Sequence, residues 1–379
     1  MRKYGGYQGA LRTGLAGGIL AGVVAAAPAS AAVAGVSFAP AAVTYAGLGA
    51  TSVVAADLNG DHFADLVTPN YLDGTISVLS GDGRGTVVAA PAIAVGAGPA
   101  DVAVGDLNRD DRLDLVVANL LDNTVAVLLG TGGGGLQAAV AFPAGARAGD
   151  LAVADVTGDG VPDVVVTDHD AVSVLAGDGR GALAAPHSYP AGADPTDVTA
   201  ADLDGDGEID LAVTNVSTDT VTGLLGDGAG GFGPARGFPV GDGPVGIAAA
   251  DLNCDGELDL IATDYLGNGV TVLLGDGRGG YPSIQTFPSA GGPVDVVSAD
   301  LDGDRDLDLA TADVRTHTAS VLTGDGRGGF SAATGFPAAG RNPSEVVAAD
   351  FNGDRSPDLA TVNYTSGDVS VLLNTAPRR

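Results

Sequence analysis

The sequence predicts an all-β protein: a seven-bladed β-propeller of four-stranded antiparallel blades, closed by an N-terminal strand that completes the last blade. Three observations predict it. A nine-residue acidic loop recurs seven times, its first residues (Asp57, Asp106, Asp155, Asp202, Asp251, Asp300, Asp350) standing 49, 49, 47, 49, 49 and 50 positions apart. A fixed period of this size marks stacked repeats or propeller blades. Each repeat holds four short β-like runs divided by Gly- and Asp-rich turns, with no long amphipathic helical pattern. Finally, the chain starts with one spare strand and ends one strand short.

In chain order, residues 1–31 read as an export signal. Arg2, Lys3 and Arg12 supply positive charge, 15–27 is an apolar run of small residues, and Ala29-Ser30-Ala31 is a small-x-small cleavage site. Cleavage is expected near Ala31, giving a secreted, extracellular chain with no membrane span once mature; the apolar run is short for a span. The propeller is assigned to 32–375 and a short tail to 376–379.

The spare strand is 36–45, Val-Ser-Phe-Ala-Pro-Ala-Ala-Val-Thr-Tyr. Within a repeat, the first strand is small-residue-rich, as in 102–105 or 247–250, which suits crowding at a central axis. The second is wholly apolar, as in 115–118 or 260–263. The third runs through 76–79, 125–128, 270–273 or 369–372. A Gly-Asp-Gly-x-Gly turn follows, as in 81–85, 275–279 and 324–328, where glycines permit positive φ. The fourth strand is expected over 232–238, 281–287 and 330–336. The last repeat stops at Leu373 with neither turn nor fourth strand, so the front strand closes the ring and removes exposed sheet edges.

The acidic loops carry the strongest chemistry. Positions 1, 3, 5 and 9 are Asp57, Asn59, Asp61, Asp65; Asp106, Asn108, Asp110, Asp114; Asp155, Thr157, Asp159, Asp163; and Asp202, Asp204, Asp206, Asp210. The remaining three sets are Asp251, Asn253, Asp255, Asp259; Asp300, Asp302, Asp304, Asp308; and Asp350, Asn352, Asp354, Asp358. Every one of these side chains offers oxygen, and position 7 varies freely, as expected where only a backbone carbonyl serves. Six to eight oxygens on a flexible loop suit Ca²⁺, up to seven ions in all. No His or Cys recurs, which disfavours zinc and copper. An EF-hand would need a bidentate Glu at position 12, where Val213 and Ala262 stand instead. Gly160, Gly207 and Gly256 ease the turn at position 6, while His62, Asp111, Arg305 and Arg355 occupy it elsewhere. On that ground the loops at Asp202 and Asp251 rank first.

The formal net charge is −30, from 47 acidic and 17 basic residues. Three carboxylates in each of seven loops, with Asp204 and Asp302, account for 23 of the 47; seven Ca²⁺ would bring −30 to −16. This excess excludes nucleic acid as a partner. Cys254 is the one cysteine, so no intramolecular disulfide forms and calcium takes the stapling role.

The Asp-x-[Asp/Asn]-x-Asp-Gly-x-x-Asp loop, the Leu-Val-Val-Ala-type strand after it and the Val-x-Val-Leu-Leu-Gly-Asp-Gly-x-Gly-Gly-Phe stretch resemble FG-GAP/VCBS repeats over about residues 36–373. Such repeats build the calcium-binding propeller of integrin α-subunits and of many secreted bacterial proteins. The resemblance implies calcium loops between the first and second strands of each blade. It implies no single activity, because the family spans adhesion modules, lectins and domains attached to enzymes.

Alternating connections put the acidic loops and Gly-Asp-Gly turns on one face. The other face carries Tyr71, Asn119, His169, Asn215, Tyr265, His317 and Tyr364 on loops that vary more, the usual setting for binding. Five residues before each acidic loop stand Ser52, Asp101, Asp150, Asp197, Gly246, Asp295 and Glu345, expected at the channel mouth. They read first as turn-formers opening a strand, and second as a trap for a basic group or cation. No Gly-x-Ser-x-Gly or His-Glu-x-x-His motif is present. The expectation is therefore a monomeric, non-catalytic scaffold for an extracellular protein or cell-surface ligand. A lectin is the alternative: Trp is absent, but Tyr71, Tyr265 and Tyr364 could stack on sugar.

Overall fold

The computed structural model describes residues 35–377. The expected export signal lies outside them. Among the described residues there is no helix, and none long and apolar enough to cross a membrane. Seven antiparallel blades form the ring, as predicted; six have four strands, and in the first the outer strand is split into Val87–Ala89 and Ile93–Ala94. A typical blade, the fifth, runs Pro244–Ala250, Asp259–Asp264, Gly269–Leu274 and Ser283–Pro288 from the axis outward.

Burial follows position in the blade. Second strands such as Asp259–Asp264 are buried at all six residues because blades cover both their faces. First strands such as Pro343–Ala349 are half-buried along the channel, and fourth strands such as His187–Pro190 are largely exposed. The apolar core is divided among the seams. Leu66 and Leu79 of blade one pack with Ala360, Val362 and Val371 of blade seven in one cluster, and the other clusters likewise span neighbouring blades. No blade has a complete core alone, so closure is a condition of stability.

The ring closes as expected. Ala42–Tyr45 pairs antiparallel with Val371–Asp368, and Phe38 bridges Asn374. The continuous strand is shorter than 36–45 because pairing breaks at Pro40 and Ala41, before which the Ala39 amide donates to Leu373 and the Thr375 amide to Ser37. The fourth strands also start later than expected, at Arg236, Ser283 and Thr334. The aromatic that opens each predicted run is used between blades instead. Phe232, Tyr281 and Phe330 each meet an aromatic on the preceding blade's outer strand (Tyr189, Phe238, Phe287) edge-on, with ring centres 4.9–5.4 Å apart. Phe38 repeats that contact on Phe336 at 4.9 Å, so the N-terminal segment supplies the seventh blade's aromatic as well as its strand.

Candidate metal centres and the two faces of the ring

Each acidic loop joins a first strand to a second, with position 9 opening the second strand. The seven loops share one scaffold. Both oxygens of the position 1 carboxylate accept backbone N–H groups in the first loop: Oδ1 of Asp57 from Gly60 (2.7 Å), and Oδ2 from His62 (2.8 Å). The sixth loop repeats this at Asp300 from Gly303 (2.8 Å) and Arg305 (3.1 Å). In every loop but the third, where Thr157 takes no part, position 3 accepts from the amide of position 5; position 5 accepts from that of position 7 throughout, as at Asn352 (2.8 Å) and Asp354 (2.8 Å). Wound this way, the loop turns its oxygens inward.

Such winding needs left-handed residues at positions 4 and 6. Position 6 is left-handed with or without glycine: Gly207 has φ 92°, Asp111 62° and Arg305 80°. Position 4 was not singled out from sequence, yet Arg109 and Cys254 both hold φ 59° there. A side chain in this region costs roughly 1–2 kcal/mol. Loop two therefore carries two strained residues, loop five one, and loop four, with Gly205 and Gly207, none. The tie between Asp202 and Asp251 breaks in favour of Asp202.

Position 9 is tied to structure. Asp210 accepts from Leu203 (2.8 Å) and from Gly226 of its own Gly-Asp-Gly turn (2.7 Å), and its counterparts repeat the pair. Burial pushes the Asp210, Asp308 and Asp358 carboxyls up to about 6, and nearby loop carboxylates add to the shift. Three carboxylates converge, with oxygens within 4.8 Å of one another, at Asp202, Asp204 and Asp210 and at Asp300, Asp302 and Asp304. These are the two loops with Asp at position 3. Their oxygen-only donors fit a hard cation such as Ca²⁺, and the sixth loop joins the fourth as a leading candidate.

The Gly-Asp-Gly turns also cross the seams. The glycine amides of Gly85, Gly181 and Gly230 donate to the position 2 carbonyls of the preceding blade: Phe351 (2.8 Å), Leu107 (3.3 Å) and Val156 (3.0 Å). Blade two lacks the Asp but keeps the contact, Gly134 donating to Leu58 at 3.1 Å. Blade seven has no such turn. Asn374 replaces it: its amide N–H donates to Asp358 (2.6 Å) and its side chain donates to the Leu301 carbonyl (2.8 Å). Nothing in the repeat pattern marked Asn374; only its place at the missing turn could have.

At the axis, the residues five before each loop, Gly246 excepted, line a cavity of about 300 Å³. Four of the acids stand within a first strand rather than in a turn. A β-bulge just before Asp101, Asp197, Asp295 and Glu345, after the prolines at 99, 195, 293 and 343, aims each side chain inward. Each carboxylate then accepts an N–H from the next blade. Asp101 takes Leu151 (2.9 Å), Asp150 Val198 (3.4 Å), Asp197 Ile247 (2.7 Å), Asp295 Val346 (2.9 Å) and Glu345 Val53 (3.1 Å). Ser52 donates to Asp101 at 2.5 Å. Gly246 interrupts the ring because a Cβ there would lie 2.7 Å from the Val294 carbonyl oxygen.

The opposite face is less uniform. Asn119 and Asn215 are fully buried, bonded to Val95 and Thr222, and are not available to a ligand. Tyr71, Tyr265 and Tyr364 share one backbone position, their amides donating to the blade-link carbonyls of Gly49, Gly243 and Asn342. Tyr71 lines the channel mouth, and its neighbour Tyr364 is pushed upward in pKa by burial and by Tyr71. Tyr265 stands in blade five under the Arg315 guanidinium, 4.6 Å from the ring centre. His169 pairs with Asp170 at 2.9 Å, and His317 accepts the Asn342 amide at 3.1 Å. They stand in blades three and six, so the five candidates do not form one patch.

Known proteins agree with this architecture. Solved structures similar in fold include an Agrocybe aegerita lectin that recognises non-reducing terminal N-acetylglucosamine (20% identity, TM-score 0.54, covering 83% of this chain and 86% of that one). Others are BBS1N in complex with ARL6DN (14%, 0.63, 90% and 97%) and a catalytically inactive virginiamycin B lyase from Staphylococcus aureus with quinupristin (13%, 0.59, 88% and 99%). No curated protein matches the sequence. The model of the FG-GAP-like repeat matches residues 106–166, 157–213, 202–262 and 255–311, together more than half of the 379 residues. With the same loop scaffold in all seven blades, the chain belongs to the FG-GAP-like repeat family.

Proposed function

We propose that this protein is an exported, calcium-stabilised, non-catalytic propeller that binds a macromolecular or cell-surface ligand through the face opposite its acidic loops. The contrast between its faces carries the reading. On one, all seven loops repeat a single hydrogen-bonded scaffold. On the other, one backbone position bears Tyr71, Leu120, Val216, Tyr265, Val314 or Tyr364. Uniform loops fit a structural cation, and varied loops on a rigid ring fit recognition. Exposed Leu48, Leu72 and Leu121 add apolar contact area to the second face.

The calcium half is tested by melting the signal-less protein with calcium and with excess chelator. A ligand that binds only the folded state adds about 2.7 kcal/mol per independent site at a hundredfold excess over its Kd. An unchanged midpoint sinks it. A glycan-binding reading is favoured by the neighbouring Tyr71 and Tyr364 and by the fold shared with the fungal lectin. A glycan array beside a pull-down from cell-surface material separates the two, with loss on Tyr71→Ala expected for either. Retention of every captured partner by Tyr71→Ala and Tyr364→Ala would remove this face from the proposal.

A further inference from the structure

The five carboxyls at the channel mouth accept N–H groups from five different neighbouring blades, so they act across the seams of the ring. They do so without a countercharge. No lysine, arginine or histidine lines the cavity, and the remaining titratable group facing it is Tyr71. The charges of Asp101 and Asp197 act on each of Asp150, Asp295 and Glu345, so the acids crowd one another around the cavity. The arrangement is thus stable when some of the acids are protonated and crowded with like charge when all are ionised.

We propose that Asp101, Asp150, Asp197, Asp295 and Glu345 form a proton-held clasp that ties blade to blade in mild acid and loosens as its protons leave. Burial pushes Asp101 up to about 6 and Asp295 up to about 7, with charge from other ring acids adding to both. Burial first, then neighbouring carboxylates, drives Asp150 and Glu345 well above the ordinary range, and Asp197 is also raised by burial. The sign follows. Folded-state values above those of the unfolded chain mean that the ring contributes stability fully below the ordinary carboxylate range. That contribution is lost as pH rises through about 6 to 7. Ser52 and Gly246 leave the clasp asymmetric, with a gap at the fifth blade where no acid reaches the sixth.

The test compares the full chain with the double variant Asp197→Asn/Asp295→Asn in saturating calcium, by melting from pH 5 to 8.5. Asn keeps an acceptor oxygen for the Ile247 and Val346 amides and stands in for the protonated acid. The parent should lose stability as pH rises while the variant loses less, the gap changing by at least ~2 °C. Glu345→Gln gives an independent check should the double variant fail to fold. In the parent alone, exchange protection at the Ile247 and Val346 amides, corrected for intrinsic rate, should fall over the same range. Parallel melting profiles with constant protection would overturn the clasp. So would a tenfold increase in calcium that flattens the parent's profile and leaves the variant's unchanged, since a cation would then hold the ring in place of protons.

Discussion

Asn374→Ala tests whether a single residue replaces the missing turn of the last blade. Asn374 is buried, and its side chain donates to the carbonyls of Leu301 (2.8 Å) and Pro357 (3.1 Å) and accepts the Ala376 amide (2.9 Å). Water can replace the partners at Pro357 and Ala376, which lie nearer the surface. The Leu301 carbonyl lies in the seam between blades six and seven and loses its donor, at a cost of about 1–3 kcal/mol. The other two bonds pass to water and add little, so the total stays at about 1–3 kcal/mol. Unfolding entropy of roughly 2.1 cal/mol/K per residue over about 340 residues is about 0.7 kcal/mol/K, so the melting point should drop by about 1–4 °C. The assay is calorimetric or dichroic melting in calcium, with hydrogen exchange to localise the change. Protection should fall first around Leu301–Asp308 and Phe351–Asp358. A shift below half a degree, or exchange spread evenly over all blades, would refute the replacement.

Removing residues through Tyr45 should expose the strand edge at Asp368–Leu372 and strip Phe38 from Phe336, opening the ring to proteolysis and self-association; a truncated protein equally resistant and monomeric would contradict closure. With both sites filled, Asp206→Ala and Asp110→Ala should each lose about one ion by native mass spectrometry, but Asp206→Ala should cost more thermal stability, because the Asp106 loop carries two left-handed side chains from the start; equal costs would remove the role assigned to strain. Asp264 holds the position filled by Asn in blades one, two, four and seven, and burial pushes its carboxyl up to about 7, with Asp219 and Asp242 adding to the shift. Its contribution is fully present below the ordinary carboxylate range and lost as pH rises through about 7, so the stabilisation by Asp264→Asn should be greater at pH 8 than at pH 5 by about 3 kcal/mol, as chemical denaturation at the two pH values will show.

The sequence alone determined the blade count, the four strands per blade, the acidic loops and their face, and the swap of one strand between the ends of the chain. Each of these follows from a pattern that repeats within about 50 residues, where period-2 strands and Gly-Asp turns dictate local structure. What crosses a seam was decided by tertiary structure. Asn374 looks like an ordinary tail residue until it meets the Leu301 carbonyl, 73 positions away. Phe232, Tyr281 and Phe330 look like strand openers and are inter-blade contacts. The acids five residues before five of the loops look like turn-formers, yet ring closure gathers them around one channel and gives each a partner on another blade. Asn119 and Asn215 read as face residues because they end their strands, but the blade links fold over them. The physical reason is common to all four. A blade's own sequence sets its hydrogen-bond ladder, whereas burial and charge at its edges depend on the neighbour that closes over it, and one repeat contains no record of that neighbour's placement.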